Sequence, residues 1–319
     1  MPLIDMPLQE LQTYQGRNPC PADFDEYWER ALSEMRGTDP QIELIPSKFQ
    51  VPNADCFDLY FTGVRNARIH AKYLRPKNIK EKCPAVVQLH GYTMDCGDWQ
   101  GKLGYVAQGF CVAALDCRGQ GGLSEDRGGV KGNTHRGHII RGLDDNPENL
   151  LFRHIFLDAA QLAGIVMSFD EVDAERVGAM GASQGGGLTI ACAALETRIK
   201  RLAPQYPFLS DYKRVWEMDL AKHAYEELTT YFRHFDPLHK REEEVFTTLG
   251  YIDVQHLAHR IKGEALAACG LMDTVCPPSS QFAVFNKMKA PKNVLIYPDF
   301  AHEVLPGYLD AAMEFMLGL

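Results

Sequence analysis

The clearest pattern in this chain is a set of short segments that are continuously apolar. Residues 84–89 contain one polar side chain, Gln88, and residues 110–115 contain none. A strand buried on both faces has such a run, whereas a half-exposed strand alternates between apolar and polar residues. We therefore predict that both segments are central strands of a sheet. Further strands are predicted at residues 177–180, 198–204, 265–269 and 294–297.

Between these segments, apolar residues recur three and four positions apart, which is the spacing of an amphipathic helix. In residues 155–169, for example, Ile155 and Leu162 fall on the same side. Strand and helix therefore alternate along the chain. This alternation predicts a mostly parallel central sheet with right-handed crossovers and helices on both faces.

The first part of the chain has a different pattern. A helix is predicted from about residue 21 to residue 35, where apolar residues recur at helical spacing. Residues 57–61 and 68–74 then show a period of two on either side of a turn, which predicts an antiparallel hairpin at the sheet edge. We interpret about residues 1–80 as an N-terminal extension of the sheet.

Residues 210–260 also break the alternation, after the sixth predicted strand. They combine helical patterning with dense charge, so we expect a helical insertion that covers the carboxyl ends of the strands, where ligands bind in parallel sheets of this kind. Its charge run at residues 240–244 is interpreted as a solvated helix face, and its aromatic residues as the core of the insertion. The prediction is one α/β domain over residues 1–319.

Composition and charge narrow the classes of function. The 319 residues carry a net charge of −9, which disfavours binding to nucleic acid or to an anionic membrane. The N-terminus has neither the basic start nor the long apolar core of a signal peptide, and no apolar run is long enough to span a bilayer. Nine cysteines at irregular spacing favour free thiols, so we expect a cytoplasmic protein.

The strongest chemical signal is the sequence Gly-Ala-Ser-Gln-Gly at residues 181–185. It follows the predicted strand 177–180 and opens a helix of small residues, which is the strand–turn–helix arrangement of the nucleophile elbow in α/β-hydrolases. The glycines allow strand and helix to approach closely, and the helix N-terminus favours negative charge at the Ser183 hydroxyl. We predict an α/β-hydrolase fold with Ser183 as nucleophile; the alternative is a tight turn with an ordinary hydroxyl.

A nucleophilic serine needs a histidine base and an acid that orients the histidine. In α/β-hydrolases the chain order is serine, acid, histidine. Asp273 follows the predicted strand 265–269, and His302 follows the last predicted strand. Asp299 is a rival acid, but it is too close in sequence to His302 to occupy the usual position of the acid. We therefore predict Asp273 as the acid and His302 as the base.

The oxyanion that forms during acyl transfer needs hydrogen-bond donors that are in place before the reaction. The backbone N–H of Gln184, directly after the nucleophile, is predicted to be one donor. The loop after residues 84–89 is expected to supply the other through the backbone N–H of Tyr92. No metal or cofactor is expected, because His302-Glu303 is not a zinc motif and neither a Walker nor a dinucleotide-binding sequence occurs.

Taken together, these motifs resemble one family, the acetyl xylan esterases and cephalosporin C deacetylases of carbohydrate esterase family seven. The similarity covers nearly the whole chain and shows no departure at a predicted catalytic position. The motifs that carry it are Asn18-Pro19-Cys20-Pro21, His90-Gly91-Tyr92, Arg118-Gly119-Gln120-Gly121-Gly122, Gly181-Ala182-Ser183-Gln184-Gly185-Gly186, Asp273-Thr274-Val275-Cys276-Pro277-Pro278 and His302-Glu303.

The resemblance implies a serine esterase that removes acetyl groups from short xylo-oligosaccharides and from cephalosporin C, and that also perhydrolyses esters with peroxide. It implies an intracellular homo-hexamer, a trimer of dimers whose active sites face an inner cavity. It supports Tyr92 and Gln184 as the oxyanion donors. Beyond these, Tyr92, Tyr206, Pro207 and Val275 are expected to bind substrate as walls of a small acyl pocket.

Other interpretations remain open. Broader short-chain carboxylesterases and serine peptidases share the triad, because specificity depends on the pocket rather than on the triad. A non-catalytic binding protein on the same fold is a further alternative, although the complete set of catalytic residues argues against it. Tyr206, Pro207 and Val275 have ordinary core packing as an equal alternative to a pocket role. Arg118 and Gln120 are expected to organise the loop beside the site rather than to take part in the chemistry.

Overall fold

The computed structural model describes residues 4–132 and 137–319. Two short segments, residues 1–3 and 133–136, lie outside the described residues. The first belongs to the N-terminus for which no signal peptide is predicted. Within the described ranges, nine strands form one sheet. In chain order they are β1 (Glu43–Pro46), β2 (Ala54–Thr62), β3 (Arg68–Pro76), β4 (Cys83–Leu89), β5 (Cys111–Leu115), β6 (Val172–Ala182), β7 (Arg201–Gln205), β8 (Glu264–Gly270) and β9 (Lys292–Tyr297).

The α-helices of the same ranges lie before, between and after these strands. They are α1 (Leu8–Leu11), α2 (Phe24–Gly37), α3 (Leu103–Ala107), α4 (Leu151–Met167), α5 (Gln184–Leu195), α6 (Tyr212–Glu217), α7 (Glu226–Phe235), α8 (Glu242–Gly250), α9 (Val254–Leu257), α10 (Pro278–Lys287) and α11 (Tyr308–Leu317). No helix in the described ranges has both the length and the apolar character needed to cross a membrane.

The strand order is β1-β2-β3-β5-β4-β6-β7-β8-β9. From β5 to β9 every neighbouring pair is parallel, while β1, β2 and β3 pair antiparallel with one another and β3 pairs antiparallel with β5. This mostly parallel sheet, covered by helices, confirms the α/β-hydrolase fold predicted from the sequence. All the strands that were predicted as buried runs are present.

One detail of the sheet edge differs from the prediction. The hairpin of β2 and β3 forms, but β1 pairs outside it, with Glu43 opposite Tyr60, so the hairpin is not the edge of the sheet. Three of the four residues of β1 are exposed, and its sequence Glu-Leu-Ile-Pro is too short and has no alternation of apolar and polar residues to detect. With β1 counted, the helical insertion follows the seventh strand, which is the segment predicted as the sixth.

Alternate residues of the central strands face different helices. Val86 and Val112 belong to a buried cluster with residues of α3 and α11, whereas Val87 and Ala113 belong to a second cluster with α4 and α5. Both faces of the sheet are therefore covered, which explains why these strands are apolar throughout. Helix α5 begins directly after β6, so the packing of its small residues on the sheet fixes the position of the turn between them.

Helices α6 to α9 form the insertion between β7 and β8, as predicted. Its aromatic side chains pack together: the ring centroids of Trp216 and Phe232 are 4.6 Å apart, and those of Phe232 and Phe246 are 5.9 Å apart. Phe208 and Tyr225, with centroids 4.4 Å apart, connect this core to the segment after β7. The insertion therefore has a fixed position over the carboxyl ends of the strands.

A buried ion pair anchors the loop after β5. Arg118 donates to both carboxylate oxygens of Asp158, from Nε to Oδ2 and from Nη2 to Oδ1, each at 2.6 Å. Its third nitrogen, Nη1, donates to the carbonyl of Val64 at 3.2 Å. Arg118 and Asp158 are both almost completely buried. A buried charge that loses its partner is strongly destabilising, so this pair ties the loop to α4.

We predict that Asp158→Ala lowers the free energy of unfolding by about 3–5 kcal/mol, because it leaves the Arg118 guanidinium buried and unpaired. Glu175→Ala is the matched control, since Glu175 pairs with Lys200 on the surface, and it should change the value by less than about 1 kcal/mol. Urea unfolding followed by circular dichroism measures both. Equal effects of the two substitutions would contradict the role given to the buried pair.

Candidate active site

Ser183 lies at the sharp turn between β6 and α5. Its backbone has φ 57° and ψ −118°, a region that residues with a side chain rarely occupy. Three backbone hydrogen bonds hold it there: its N–H donates to the carbonyl of Gln205 at 3.0 Å, and its carbonyl accepts from Gly187 and Phe208 at 3.0 Å each. This is the geometry predicted for the nucleophile elbow.

The glycines around Ser183 are required by close contacts. A Cβ atom on either Gly181 or Gly185 would overlap the carbonyl oxygen of Leu89 at the end of β4, and a Cβ atom on Gly186 would overlap the carbonyl oxygen of Gln205 at the end of β7. The turn therefore packs tightly against the ends of β4 and β7. The glycine spacing noted in the sequence has this physical cause.

His302 and Asp273 are joined by a hydrogen bond. The Nδ1–H of His302 donates to Oδ2 of Asp273 at 2.8 Å, so that Nε2 is left as the proton acceptor. The other carboxylate oxygen, Oδ1, accepts from the backbone N–H groups of Val275 and Cys276, both at 2.8 Å. Asp273 is completely buried and His302 is about one-fifth exposed. The rival acid Asp299 is exposed, so the structure pairs His302 with the acid that chain order predicts.

The thiol of Cys276 lies at the centre of this group. Its Sγ atom, a ring nitrogen of His302 and a carboxylate oxygen of Asp273 all lie within 4.8 Å of one another. Among the hydrogen bonds of the described residues, none joins Ser183 directly to His302. Such contacts are often long in enzymes without bound substrate and tighten when it binds.

The residues proposed to bind the oxyanion lie beside Ser183. Gln184 begins α5 and is completely buried, and its side-chain Nε2 contacts the carbonyls of His90 and Gly91 at 3.4 Å each. The side chains of Gln184 and Gln120 also hydrogen-bond to each other, at 2.8 Å from Gln120 Nε2 to Gln184 Oε1. The side chain of Gln184 thus holds the loop that carries Tyr92.

The other predicted site residues have these positions. The ring of Tyr206 lies 4.4 Å from the ring of His302, measured between centroids, and burial raises the pKa of its hydroxyl to about 12. Pro207 is buried directly after it, and Val275 is half-buried next to the Asp273 loop. Gln120 also accepts from the backbone N–H of Thr93 at 2.9 Å, so it organises the loop after β4.

Three polar residues near the site were missed by sequence reasoning. Cys276 stands inside one of the motifs given above, but nothing in the sequence indicates that its thiol lies close to His302. Glu227, from the insertion, and His138 both contact the hydroxyl of Tyr92. Glu227 is 4% exposed, and burial raises its pKa to about 7. A buried carboxyl without a cationic partner is a possible signal of function, but burial cannot be read from a charged helical segment.

Two groups among the described residues bring three potential metal ligands together: His70, Cys96 and Asp116, and the group of Asp273, Cys276 and His302. Metal ligation by cysteine requires the thiolate. Burial raises the pKa of Cys96 to about 12 and raises that of Cys276 well above its usual range. Both thiols are therefore neutral near pH 7 in the metal-free protein, and a metal ion at either group would have to displace the thiol proton.

The family model for acetyl xylan esterase (AXE1) matches residues 1–319. The chain belongs to the acetyl xylan esterase family. This membership confirms the family that the sequence motifs indicated and makes the chain a carboxylic ester hydrolase.

Three known proteins that are similar to this chain agree with this assignment. Acetyl xylan esterase 1 from Thermoanaerobacterium sp. JW/SL YS485 is 64% identical, with a TM-score of 0.97 over 98% of this chain and 99% of that one. Acetyl xylan esterase from Paenibacillus sp. R4 is 35% identical, with a TM-score of 0.93 over the same shares. Acetyl esterase Axe7A of Xylanibacter ruminicola is 27% identical over 88% of this chain, which spans 63% of that protein's length.

We predict that Asp273→Asn lowers kcat for 4-nitrophenyl acetate by about 10⁴-fold. The amide of asparagine donates to Nδ1 of His302, so the imidazole proton moves to Nε2 and the histidine no longer accepts a proton there. Asp299→Asn makes the same change at the exposed rival acid and should leave kcat unchanged. A larger loss from Asp299→Asn than from Asp273→Asn would exchange the two assignments.

Proposed function

We propose that this esterase removes acetyl groups from small acetylated substrates, such as xylo-oligosaccharides and cephalosporin C, through an acyl-enzyme on Ser183. The observation that carries the proposal is the strained Ser183 turn beside a histidine that a buried carboxylate orients. The names of the two similar solved structures support acetylated xylan as the substrate class. Cephalosporin C rests on the motif resemblance alone.

In the proposed acylation step, Nε2 of His302 takes the proton of the Ser183 hydroxyl as Oγ attacks the acetyl carbonyl carbon. The carbonyl electrons move to oxygen, and the backbone N–H groups of Tyr92 and Gln184 bind the resulting oxyanion. Asp273 stabilises the imidazolium through Nδ1. Collapse of the intermediate breaks the bond to the sugar oxygen, which takes the proton from His302 and leaves as an alcohol.

Deacylation repeats these steps with water as the nucleophile. His302 takes a proton from water, the hydroxide oxygen attacks the acetyl carbon, and the bond to Ser183 Oγ breaks. The Ser183 oxygen receives the proton, and acetate is released. Cys276 does not compete as a nucleophile, because burial keeps its thiol neutral near pH 7. Hydrogen peroxide in place of water gives the proposed perhydrolysis.

The preference for a short acyl group is attributed to the side chains beside His302. Tyr206 and Pro207 are held at the end of β7, and Val275 lies on the Asp273 loop. Tyr206 is only 9% exposed and packs on the imidazole, so it leaves little room next to the acyl carbon. Together with Tyr92, these residues form the proposed acetyl pocket.

Two further properties are proposed on the family resemblance. The enzyme is proposed to act in the cytoplasm and to assemble as a hexamer, a trimer of dimers. Exposed apolar side chains on the folded chain are consistent with such contacts, among them Met94, Leu123 and Val304 near the loops of the site, with exposures of 62%, 62% and 80%.

We predict that Ser183→Ala lowers the rate of 4-nitrophenyl acetate hydrolysis to the level of the buffer, with an unchanged circular dichroism spectrum.

In the wild type, kcat/KM should fall at least about tenfold from acetyl to hexanoyl esters, because each misplaced methylene in a tight pocket costs about 1–3 kcal/mol. Acetate release from acetylated xylo-oligosaccharides and from cephalosporin C tests the natural substrate class. A flat chain-length profile would favour a broader carboxylesterase, and cleavage of a peptide amide would favour a peptidase.

Light scattering on the purified protein tests the assembly. The hexamer predicts a mass about six times the 35.8 kDa of one chain. Met94→Asp and Val304→Asp place charges in exposed apolar positions and should reduce the mass if those positions are buried between subunits. A monomer in the wild type would contradict the proposed hexamer without affecting the proposed chemistry.

A further inference from the structure

Glu227 places a carboxyl group inside the protein where no cation among the described residues pairs with it. It stands in the first turn of α7 in the insertion and is 4% exposed. Its Oε2 accepts from the backbone N–H groups of Ile139 and Ile140, at 2.5 and 3.1 Å. A Cβ atom on Gly137 would overlap this carboxyl. The Glu227 side chain thus connects the insertion to the loop at residues 137–140.

The second carboxyl oxygen of Glu227 faces the active-site loop. Oε1 hydrogen-bonds to the hydroxyl of Tyr92, and that hydroxyl also lies 3.2 Å from Nδ1 of His138. The other ring nitrogen of His138, Nε2, lies 3.1 Å from the carbonyl oxygen of Gly119. These contacts join four groups in one hydrogen-bond network: Glu227, Tyr92, His138 and the Gly119 carbonyl.

The positions of the protons in this network follow from what each group can donate. The Gly119 carbonyl only accepts, so Nε2 of His138 must carry a hydrogen. In a neutral imidazole Nδ1 then accepts, and the hydroxyl of Tyr92 donates to it. With His138 neutral, the oxygen of Tyr92 in turn accepts from Glu227, which requires a proton on Oε1. In this arrangement every contact is a hydrogen bond, while Oε2 accepts from the two backbone N–H groups. The opposite direction, in which the Tyr92 hydroxyl donates to an ionised Glu227, requires a second proton on His138.

Loss of the Glu227 proton leaves the hydrogen-bond network with one donor too few. With Glu227 ionised and His138 neutral, Tyr92 has one hydrogen and two acceptors facing it, so one contact becomes a repulsion between lone pairs. Burial raises the pKa of Glu227 to about 7 and lowers that of His138, and both shifts favour the proton on Glu227. Below about pH 7 the network is complete, and above it the network loses a hydrogen bond.

The charged groups around this network do not replace the missing donor. Among the described residues, Tyr92 and His138 face the Glu227 carboxyl directly. Arg141 and Asp126 act on His138 in opposite directions and pair with each other at 2.6 Å. On the insertion itself, Tyr231 one turn along α7 donates to Asp144 at 2.6 Å, and Arg241 pairs with the same carboxylate at 2.9 Å.

Tyr92 is the residue whose backbone N–H is proposed to bind the oxyanion. Its ring packs edge-on against Phe208, with centroids 5.6 Å apart, and the N–H of Phe208 donates to the carbonyl of Ser183. The next N–H, that of Thr93, is held by Gln120. The ring and hydroxyl contacts therefore fix the orientation of the Tyr92 peptide group relative to the nucleophile.

We propose that Glu227 is a positioning residue of the esterase. As a neutral acid, it holds Tyr92 and the loop at residues 137–140 in the conformation that presents the Tyr92 N–H to the oxyanion. Ionisation of Glu227 loosens that conformation. The proposal rests on the proposed function through the role of Tyr92. It couples the insertion, which contributes no residue to the triad, to the catalytic step. Its effect should appear in kcat more than in KM, because the oxyanion forms only during the reaction.

The test compares Glu227→Gln with Glu227→Ala. The Gln amide copies the neutral acid, since its NH₂ donates to Tyr92 and its carbonyl accepts from Ile139 and Ile140. For 4-nitrophenyl acetate, Glu227→Gln should keep the wild-type kcat at pH 6. The ratio of wild-type kcat to Glu227→Gln kcat should then fall about fivefold as pH rises through about 7, the factor expected for one net hydrogen bond. The ratio cancels the pH dependence that the general base gives to both proteins. Glu227→Ala should lower kcat at least about tenfold at both pH values, up to the 10²–10³ of a lost oxyanion donor.

Two controls make the comparison specific. Glu243→Gln, the same change on the exposed face of α8, should reproduce the wild-type pH profile. Tyr92→Phe removes the hydroxyl and keeps the N–H, and its loss of kcat should not add to that of Glu227→Ala, because both break the same network. A ratio of wild-type to Glu227→Gln kcat that stays constant across pH 7, or additive losses in the double variant, would overturn the proposal.

The titration itself has a readout independent of activity. An acid whose pKa rises from 4.5 in the unfolded chain to about 7 in the fold contributes stability below pH 4.5 that is lost as pH rises through 7. The unfolding midpoint of the wild type should therefore decline relative to Glu227→Gln over this window; parallel midpoints would contradict it. If hydrolysis survives Ser183→Ala, the proposed function is wrong, whereas Ser183-dependent activity with identical wild-type and Glu227→Gln profiles overturns the Glu227 proposal alone.

Discussion

The close approach of β4 to the turn between β6 and α5 is the constraint on which the site depends. The carbonyl oxygen of Leu89 occupies the space that a Cβ atom would need at Gly181 or Gly185, and the carbonyls at the end of β7 bound the turn from the other side. Ser183 has no room to relax to an ordinary backbone conformation, so its hydroxyl is held out at the start of α5. The strain is stabilised by the packing of the sheet together with the three backbone hydrogen bonds of Ser183.

The remaining polar groups are arranged in layers around this turn. Asp273 and His302 come from the adjacent strand ends of β8 and β9, which run parallel and therefore bring their following loops together. Gln184 and Gln120 join the elbow to the loop after β4, and the Arg118–Asp158 pair anchors the loop after β5. Glu227 then connects these loops to the insertion. Each of these contacts restricts the movement of the loop next to Ser183, and such restriction keeps hydrogen-bond donors in place before a reaction.

The sequence was sufficient for the parts of the site that follow from topology. Asp273 and His302 could be chosen because parallel strands ending at one edge place their next residues together, and the glycines around Ser183 report a steric requirement directly. Strand β1 was not predicted, because four mostly exposed residues carry no periodic signal. Glu227 was not predicted either. Its partners Tyr92 and Ile139 are 135 and 88 positions away in the chain, and a carboxylate in a charged segment gives no sign of its burial.

Mapping of a covalent fluorophosphonate adduct by peptide mass spectrometry tests the central claim most directly, because only a serine activated by a correctly oriented base reacts rapidly with such a reagent. The account predicts a single adduct on Ser183 in the wild type, and a much slower reaction after His302→Ala in a protein with an unchanged circular dichroism spectrum. An adduct on a different residue, or labelling of Ser183 at the same rate without His302, would contradict it.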